Sequence, residues 1–244
     1  MEYEIFVYLM QMWDNFMNDT LLCIIPIVSN LNKKRLSKSD KENLTLSEIQ
    51  KETLIGVLLG DAHLSRPKPT HNTKLVFDQS NSLHKEYLLH LYDVFKSLTN
   101  TEPYVTNRKP DTITGKVYNS IRFSTLSLPC LNDYYELFYK DGRKIIPNNI
   151  NELLTARGLA YLIMDDGGKS YYGQTIIHTR FYTKLEVELL QETLLKNFGL
   201  TSRLEEKSKD QWILYIQVRQ DVKNKLSPGR SAPDPQVWVA SPGG

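Results

Sequence analysis

Two apolar segments of this chain each end on aspartate, and this repeated feature limits the fold more than any other. "TLIGVLLGDA" (53–62) ends near Asp61, and "LAYLIMDDGGK" (159–169) reaches Asp165 and Asp166. A helix C-terminus carries partial negative charge, so each Asp placed there costs roughly 0.3–1 kcal/mol. A single Asp-Asp-Gly-Gly sequence is typical of a plain turn. Because the feature occurs twice, with Asp61 and Asp166 separated by 105 positions, it instead indicates a duplicated unit.

The elements around the two segments follow the same order in both halves. Ser47 and Gln50 form a capping-box pattern that predicts the start of the first apolar helix. In the first half, hydrophobic periodicity predicts strands at 73–80, 102–109 and 115–125 and further helices at 83–98 and 131–140. In the second half it predicts strands at 174–181, 202–207 and 212–217 and a helix at 184–200, with Gly199 as its C-terminal cap. Two such halves would be related by a pseudo-twofold axis, and each would be incomplete alone.

The two segments resemble a known motif. In nine-residue register, "LAYLIMDDG" matches LAGLIDADG at six positions, which are Leu159, Ala160, Leu162, Ile163, Asp166 and Gly167. The first copy, "LIGVLLGDA", keeps Leu54, Gly56 and Asp61. With the flanking "GRKIIPNNI" and "DDGGK", the chain resembles the single-chain, intron-encoded LAGLIDADG homing endonucleases from about Ser47 to Gln217.

This resemblance implies an α+β fold. Two pseudo-symmetric αββαββ-like halves would carry curved antiparallel sheets that form a DNA-binding saddle, with both motif helices at the central interface. Small residues at Gly56, Gly60 and Ala160 would allow the two helix backbones to approach closely. Tyr161 replaces a motif glycine, so this packing cannot be perfectly symmetric. The halves are expected at 46–148 and 149–217, after an N-terminal extension and linker over 1–45 that includes the solvated "NKKRLSKSDKEN".

The resemblance also implies a reaction and its residues. The protein would hydrolyse both strands of a long double-stranded DNA target across the minor groove and leave short 3′ overhangs. Asp61 and Asp166 would be catalytic metal ligands for Mg²⁺, with Mn²⁺ as a substitute, because hard cations prefer oxygen ligands. Gly60 and Asp165 would add backbone carbonyl oxygens to the metal, or Asp165 would add its carboxylate to the local field. Lys144 matches a catalytic basic residue near the scissile phosphate; simple solvated charge is the alternative interpretation.

The predicted strands supply candidate DNA contacts. The sequence "KVYNSIRFS" alternates Lys116, Tyr118, Ser120, Arg122 and Ser124 on one face with mostly apolar residues on the other. That face could contact bases and phosphates, although any half-buried sheet also presents polar residues to water. The DNA-contact candidates are basic or histidine residues on strands or near their ends: Lys74, Arg108, Lys109, Lys116, Arg122, Lys169, His178, Arg180, Arg203 and Lys207.

Composition limits the other classes of function. The formal net charge is only +2, so any basic surface must be local. Cys23 and Cys130 lack neighbours at metal-ligand spacing, which predicts reduced thiols and no zinc site. No secretory signal or membrane span is recognised, and the apolar run "LLCIIPIV" is too short to cross a bilayer. The resemblance to intron-encoded proteins implies a monomer in an organelle, the mitochondrion.

The C-terminus departs from the internal symmetry. The last predicted strand should be followed by a helix like "LNDYYELFYK", but residues 218–244 are rich in Pro, Gly and Ser and predict a disordered tail. The second half is therefore expected to be incomplete, with impaired activity as one consequence. An RNA-binding intron-splicing maturase is the alternative function, with intron RNA as its partner, and an inactive relic is a third. The two aspartates favour the nuclease, because an RNA binder needs neither.

Overall fold

The computed structural model describes residues 36–81, 84–107, 110, 115, 117, 119–170 and 174–217. Most of the predicted N-terminal extension and the whole predicted tail lie outside these residues. Within the expected linker, Lys38–Glu42 forms a short helix, α1, none of whose residues is buried. Its capping box joins Ser37 and Asp40, since the Ser37 hydroxyl accepts the Asp40 N–H and the Asp40 carboxylate accepts the Ser37 N–H.

The first half begins with the predicted apolar helix. Ser47 and Gln50 form the expected capping box at its start, and Gly60 follows its last residue. The elements are α2 (Glu48–Leu59), β1 (His63–Ser65), β2 (Lys74–Ser80), α3 (Lys85–Phe95), β3 (Tyr104–Asn107), β4 (Asn119–Ser124), α4 (Asn132–Phe138), β5 (Tyr139–Lys140) and β6 (Arg143–Lys144). Short 3₁₀ turns at Lys96–Leu98 and Pro129–Leu131 complete the half.

The second half repeats this order. Its elements are α5 (Ile150–Leu153), α6 (Ala156–Asp166), β7 (Gly167–Lys169), β8 (Thr175–His178), α7 (Lys184–Phe198), β9 (Ser202–Ser208) and β10 (Gln211–Ile216). Gly199 ends α7 in the left-handed conformation with φ of 64°, which confirms the predicted C-terminal cap. No helix in the described part of the chain has both the length and the apolar content needed to cross a membrane.

The two four-stranded sheets have the same antiparallel topology. The strand order is β1-β2-β4-β3 in the first half and β7-β8-β10-β9 in the second. Helix α3 packs on the first sheet and α7 on the second, while α2 and α6 pack against each other between the halves. This arrangement confirms the predicted α+β duplication with the two motif helices at its centre.

Two local predictions were wrong. No strand was predicted directly after either motif helix, yet β1 and β7 begin there and each forms an edge of its sheet. The helix predicted at 131–140 ends at Phe138. Residues Asp141 and Gly142 have φ of 51° and 75°, so a tight two-residue hairpin turns the chain instead.

The predicted polar face of β4 is only partly open to solvent. Ser120 is buried, because it lies directly opposite Thr106 of β3 and the two hydroxyls share a hydrogen bond of 3.1 Å. Arg122 and Ser124, on the same face, remain partly exposed. The apolar face, with Ile121 and Phe123, is buried in the core as expected.

Candidate active site at the ends of the paired helices

Helices α2 and α6 meet position by position across the pseudo-twofold axis. Arg157 forms an ion pair with Glu52 at 2.9 Å, which is 105 positions earlier in the chain. One turn further, a Cβ atom added to Gly56 would lie 2.8 Å from Cβ of Tyr161 and 2.2 Å from the Gly158 carbonyl oxygen. These contacts bring the backbones together, so the C-terminal ends of both helices reach the same place.

The last contact of this helix pair lies at the aspartates. A Cβ atom on Gly60 would lie 2.5 Å from Cβ of Asp165, so only glycine fits opposite this residue. The predicted role of Gly56 and Gly60 in close packing agrees with this geometry, and Ala160 is buried as well. Gly158 was missed; its own added Cβ would lie 3.1 Å from the Glu52 carbonyl oxygen. Gly158 lies one residue before the recognised motif copy. This position was the sequence signal that could have predicted its role in close helix packing.

The partly exposed side chain of Asp165 lies between the halves, and its Oδ1 atom is buried. Its Oδ2 accepts the backbone N–H of Asp61 at 3.2 Å, so a side chain of the second half holds the backbone of the first-half aspartate. Burial raises the pKa of the Asp165 carboxyl well above its usual range, while hydrogen bonds from the Tyr87 hydroxyl and the Asp61 amide act in the opposite direction. Two roles were expected for Asp165: its backbone carbonyl would bind the metal, or its carboxylate would add to the local field. The contact with the Asp61 amide favours the second role.

Asp166 carries the clearest electrostatic perturbation. Burial and the nearby Asp61 carboxylate raise the pKa of Asp166 from 3.8 to about 7, and the Lys144 ammonium lowers it in part. A carboxyl whose ionised form is disfavoured by burial and by a second carboxylate is typical of a site that a cation completes. The two aspartates predicted as partners from sequence are therefore brought together by the fold.

Lys144 reaches the same place from the hairpin β5–β6. Its Nζ donates hydrogen bonds to the carbonyl oxygens of Gly60 and, at 2.9 Å, Ala62. Burial lowers the pKa of this lysine, and the charges of Asp166, Asp165 and Asp61 oppose that effect. The ammonium thus contacts the Gly60 carbonyl that was expected to bind a metal.

Two further residues at the site, Gln79 and Tyr182, were not predicted from the sequence. Gln79 Nε2 donates to Asp61 Oδ2 at 3.0 Å, and the Tyr182 hydroxyl donates to the Leu59 carbonyl at 2.9 Å. Gln79 had a signal, because it continues the alternation of Leu75 and Phe77 on the buried face of β2. Tyr182 had none, since it lies in the turn before α7 and 123 positions from Leu59.

The donor atoms suit a hard divalent cation. They are carboxylate and carbonyl oxygens, and the pKa of the Asp166 carboxyl is raised by burial and by the nearby Asp61 carboxylate. Among the described residues, no three His, Cys, Asp or Glu side chains are arranged to hold a metal by themselves. An ion here would need oxygens from another source, as when phosphate and water complete a Mg²⁺ shell.

The sheets present several of the predicted DNA contacts on the face that alternates with the core. Lys74 and Arg122 lie on this outer face of the first sheet, where Arg122 pairs with Asp78 at 3.5 Å. On the second sheet, the register places Arg203 opposite Tyr215 and Ile213 between Glu205 and His178. The outer face there includes His178, Arg203, Glu205, Lys207 and Tyr215.

Other predicted contacts lie elsewhere. Lys169 pairs with Thr175 at the end of β7, on the face opposite that of Gly168 and His178. Arg180 lies in the turn after β8 and is exposed. Arg108, Lys109 and Lys116 fall outside the described residues. On the second sheet, Arg203 and Lys207 both pair with Glu205 and lie over the Tyr215 ring.

Comparison with known proteins supplies the context for this site. A family model described as the LAGLIDADG DNA endonuclease family matches residues 51–223. The cytochrome b mRNA maturase bI2 of Debaryomyces hansenii is 33% identical over 178 residues, which cover 71% of this chain and 66% of that protein. A probable intron-encoded endonuclease 1 of Wickerhamomyces canadensis is 33% identical over 192 residues, or 76% of this chain and 80% of that protein.

A solved structure shares the fold. It is the homing endonuclease I-WcaI bound to its DNA recognition sequence, with a TM-score of 0.68 and 30% sequence identity. The match covers 81% of this chain and 86% of that chain. The alignment with the Debaryomyces hansenii maturase spans just under two thirds of that relative's length.

Proposed function

The chain belongs to the LAGLIDADG DNA endonuclease family, and from that premise we propose that it is an intron-encoded homing endonuclease that cuts both strands of a long DNA site. The observation that carries the proposal is the convergence of Asp61 and Asp166 at the ends of two paired helices, beside Lys144. Enzymes of this family are metal-dependent, and Mg²⁺ is the proposed ion, with Mn²⁺ as a substitute. Cleavage across the minor groove would leave short 3′ overhangs.

Each residue of the site has a proposed role. Asp61 and Asp166 would hold the metal, with the Gly60 and Asp165 carbonyl oxygens as further ligands. The ion, when bound, would lower the pKa of water and stabilise negative charge at the phosphate. Gln79 orients the Asp61 carboxylate through its hydrogen bond. Lys144 places a positive charge where negative charge develops on the phosphate oxygens.

The two sheets would hold the DNA in position. Lys74 and Arg122 on the first sheet, and His178, Arg203 and Lys207 on the second, lie on outer faces suited to phosphates and base edges. Lys169 and Arg180, at strand ends, would contact the DNA backbone, as would Arg108, Lys109 and Lys116. In support, the structural relative I-WcaI was solved on its DNA recognition sequence.

We further propose that one chain acts as a monomer, because residues 46–148 and 149–217 supply one motif helix each. The relatives include a cytochrome b mRNA maturase and an intron-encoded endonuclease, both from yeasts. An organellar location follows for this chain, and the mitochondrion is the proposed organelle. The maturase relative also supports a second candidate function, in which the chain assists splicing by binding intron RNA.

The direct test is Mg²⁺-dependent cleavage of a DNA library that spans candidate intron-insertion sites. We expect double-strand cuts at one site, and a loss of at least about 10³-fold in rate for Asp61→Asn and for Asp166→Asn. Glu192→Gln, an exposed carboxylate on α7, is the matched control and should cut normally. A folded protein that binds intron RNA but cuts no library member would favour the maturase instead.

A further inference from the structure

The hairpin that carries Lys144 is short and tightly defined. Strands β5 and β6 contain two residues each, and Tyr139 pairs with Lys144 across them. The turn residues Asp141 and Gly142 have φ of 51° and 75°, as a two-residue type I′ turn requires. Such a hairpin has few internal contacts, so its position depends on what holds it from outside.

Two of these outside contacts lie within the first half. The Leu64 N–H donates to the Tyr139 hydroxyl at 3.0 Å, which attaches the hairpin to β1. Lys144 itself donates to the carbonyl oxygens of Gly60 and Ala62 at the end of α2. Both contacts lie on the side of the hairpin that faces the active site.

The third contact comes from the second half. Arg143 donates two hydrogen bonds to the Glu186 carboxylate on α7, at 2.8 Å and 3.1 Å. Because neighbouring strand residues point to opposite faces, Arg143 holds the hairpin from the face opposite that of Lys144. A bidentate arginine and carboxylate pair fixes orientation as well as distance.

The Glu186 carboxylate is also held in place by Thr183, independently of Arg143. It is the third residue of α7, and its Oε2 accepts both the N–H and the hydroxyl of Thr183 at 2.7 Å. Its side chain is only 13% exposed, against 49% for Arg143. Beside this cap, Tyr182 donates to the Leu59 carbonyl at the end of α2. Residues at the start of α7 therefore contact the first half next to the active site at two points, which are Arg143 and the Leu59 carbonyl.

We propose that Arg143 and Glu186 are positioning residues that hold Lys144 at the end of α2, so that the second half controls a catalytic group of the first. The role of Lys144 in cleavage rests on the proposed function, whereas its placement by this pair does not. Lys144 contacts the carbonyl oxygens of Gly60 and Ala62 at the end of α2, beside one of the two motif aspartates, so the two DNA strands should depend on this pair to different degrees.

The test uses Glu186→Gln and Arg143→Met in the full chain. Gln keeps the capping box at the start of α7, so Glu186→Gln removes the charge without removing the helix cap. Glu188→Gln is the matched control, because Glu188 lies on the same helix and pairs with Lys184 instead of Arg143. The rate of single-turnover cleavage is measured separately for each labelled DNA strand, and DNA affinity is measured in Ca²⁺. The Lys144→Met variant identifies the strand whose cleavage needs the lysine.

We expect both variants to slow cleavage of that strand about tenfold, because small misplacements of a catalytic group reduce rate strongly. The other strand and the DNA affinity should change less than about twofold, so nicked DNA accumulates. Equal slowing of both strands, or slowing in proportion to lost affinity, would overturn the proposal, as would wild-type kinetics.

A second readout does not require cleavage. Acetylation of Lys144 by acetic anhydride, followed by mass spectrometry, measures how well its amine is protected in the free protein. We expect Lys144 to react several-fold faster in Glu186→Gln than in the wild type or Glu188→Gln. Faster acetylation with no cleavage by any form would retain the positioning role and reject the nuclease. Unchanged acetylation in the variant would overturn the positioning role, even in an active nuclease.

Discussion

The two motif helices meet equivalent residue against equivalent residue, but the first carries glycine where the second carries a large side chain. Gly56 lies against Tyr161, and Gly60 lies against Asp165. Two copies of the first helix would leave gaps at these positions, and two copies of the second would collide. In a symmetric dimer, identical residues face each other across the axis. In a duplicated chain, one half can carry a small residue where the other half carries a large side chain.

The surroundings of the two motif aspartates, Asp61 and Asp166, also differ. His63 pairs with Val76 and Gly168 pairs with Ile176, so the shared register makes Gln79 equivalent to Thr179. Gln79 donates to Asp61, but the Thr179 hydroxyl donates to the Trp212 carbonyl. The fold is therefore repeated more faithfully than the contacts at the site.

The largest expected effect concerns the two acids at the centre. Asp166 ionises near pH 3.8 when unfolded and near 7 when folded, so the metal-free protein loses stability as pH rises through this window. Asn cannot ionise, so Asp166→Asn should be more stable than the wild type at pH 8.5, by at most about 4 kcal/mol. The gain should vanish near pH 4. Urea unfolding in EDTA at both pH values measures it, with Glu192→Gln as the surface control; a gain independent of pH would contradict the prediction.

The next effect tests whether the close contact between the two motif helices requires a small residue on α2 in particular. Gly56→Ala should cost about 3 kcal/mol, because its Cβ would lie 2.2 Å from a backbone oxygen of the other helix. Gly158→Ala is the matched variant on α6, where the nearest atom is at 3.1 Å and better helix propensity compensates. It should change the free energy of unfolding by less than about 1 kcal/mol. Equal costs would mean that the two helices share the close contact evenly.

A smaller effect separates the two aspartate environments. Gln79→Leu should slow cleavage about tenfold, or about 1.4 kcal/mol, because Asp61 loses the donor that orients it. Thr179→Val should leave the cleavage rate nearly unchanged and lower stability by about 1 kcal/mol, through the lost bond to Trp212. Cleavage rates and urea unfolding of both variants measure the difference. Similar losses of rate would place the two residues in the same role.

The smallest effect lies at the start of the helix pair. Glu52 and Arg157 are about one third exposed, so their ion pair should contribute less than about 1 kcal/mol. A double-mutant cycle with Glu52→Gln and Arg157→Met measures the coupling energy by urea unfolding. A coupling above about 2 kcal/mol would show that charge, in addition to glycine, holds the halves together.

Much of the fold was readable because its signals are local. The Ser47–Gln50 capping box, the helix periodicity and the Gly199 cap each depend on residues within a few positions of one another. Strands β1 and β7 were missed because three residues are too few to show alternation. The end of α4 at Phe138 was missed because the Asp141–Gly142 turn competes with a helical pattern.

The site was readable only at its centre. The motif copies pointed to Asp61 and Asp166, and the family resemblance of the flanking "GRKIIPNNI" pointed to Lys144. The contact of the Asp165 carboxylate with the Asp61 amide could not be predicted, since two adjacent Asp residues give no indication of which one faces the other half. Gln79 offered a polar residue on an apolar face, which is a usable signal but a common one.

By itself, the sequence determined that the chain is a duplication and which residues end its two central helices, because both follow from patterns repeated at fixed spacing. Only the tertiary structure decided which partners surround those ends. Lys144 and Gly60 are 84 positions apart, and Arg143 and Glu186 are 43 apart. Side chains so distant along the chain meet through the packing of two halves, and the energy of such contacts depends on distances that no local pattern encodes.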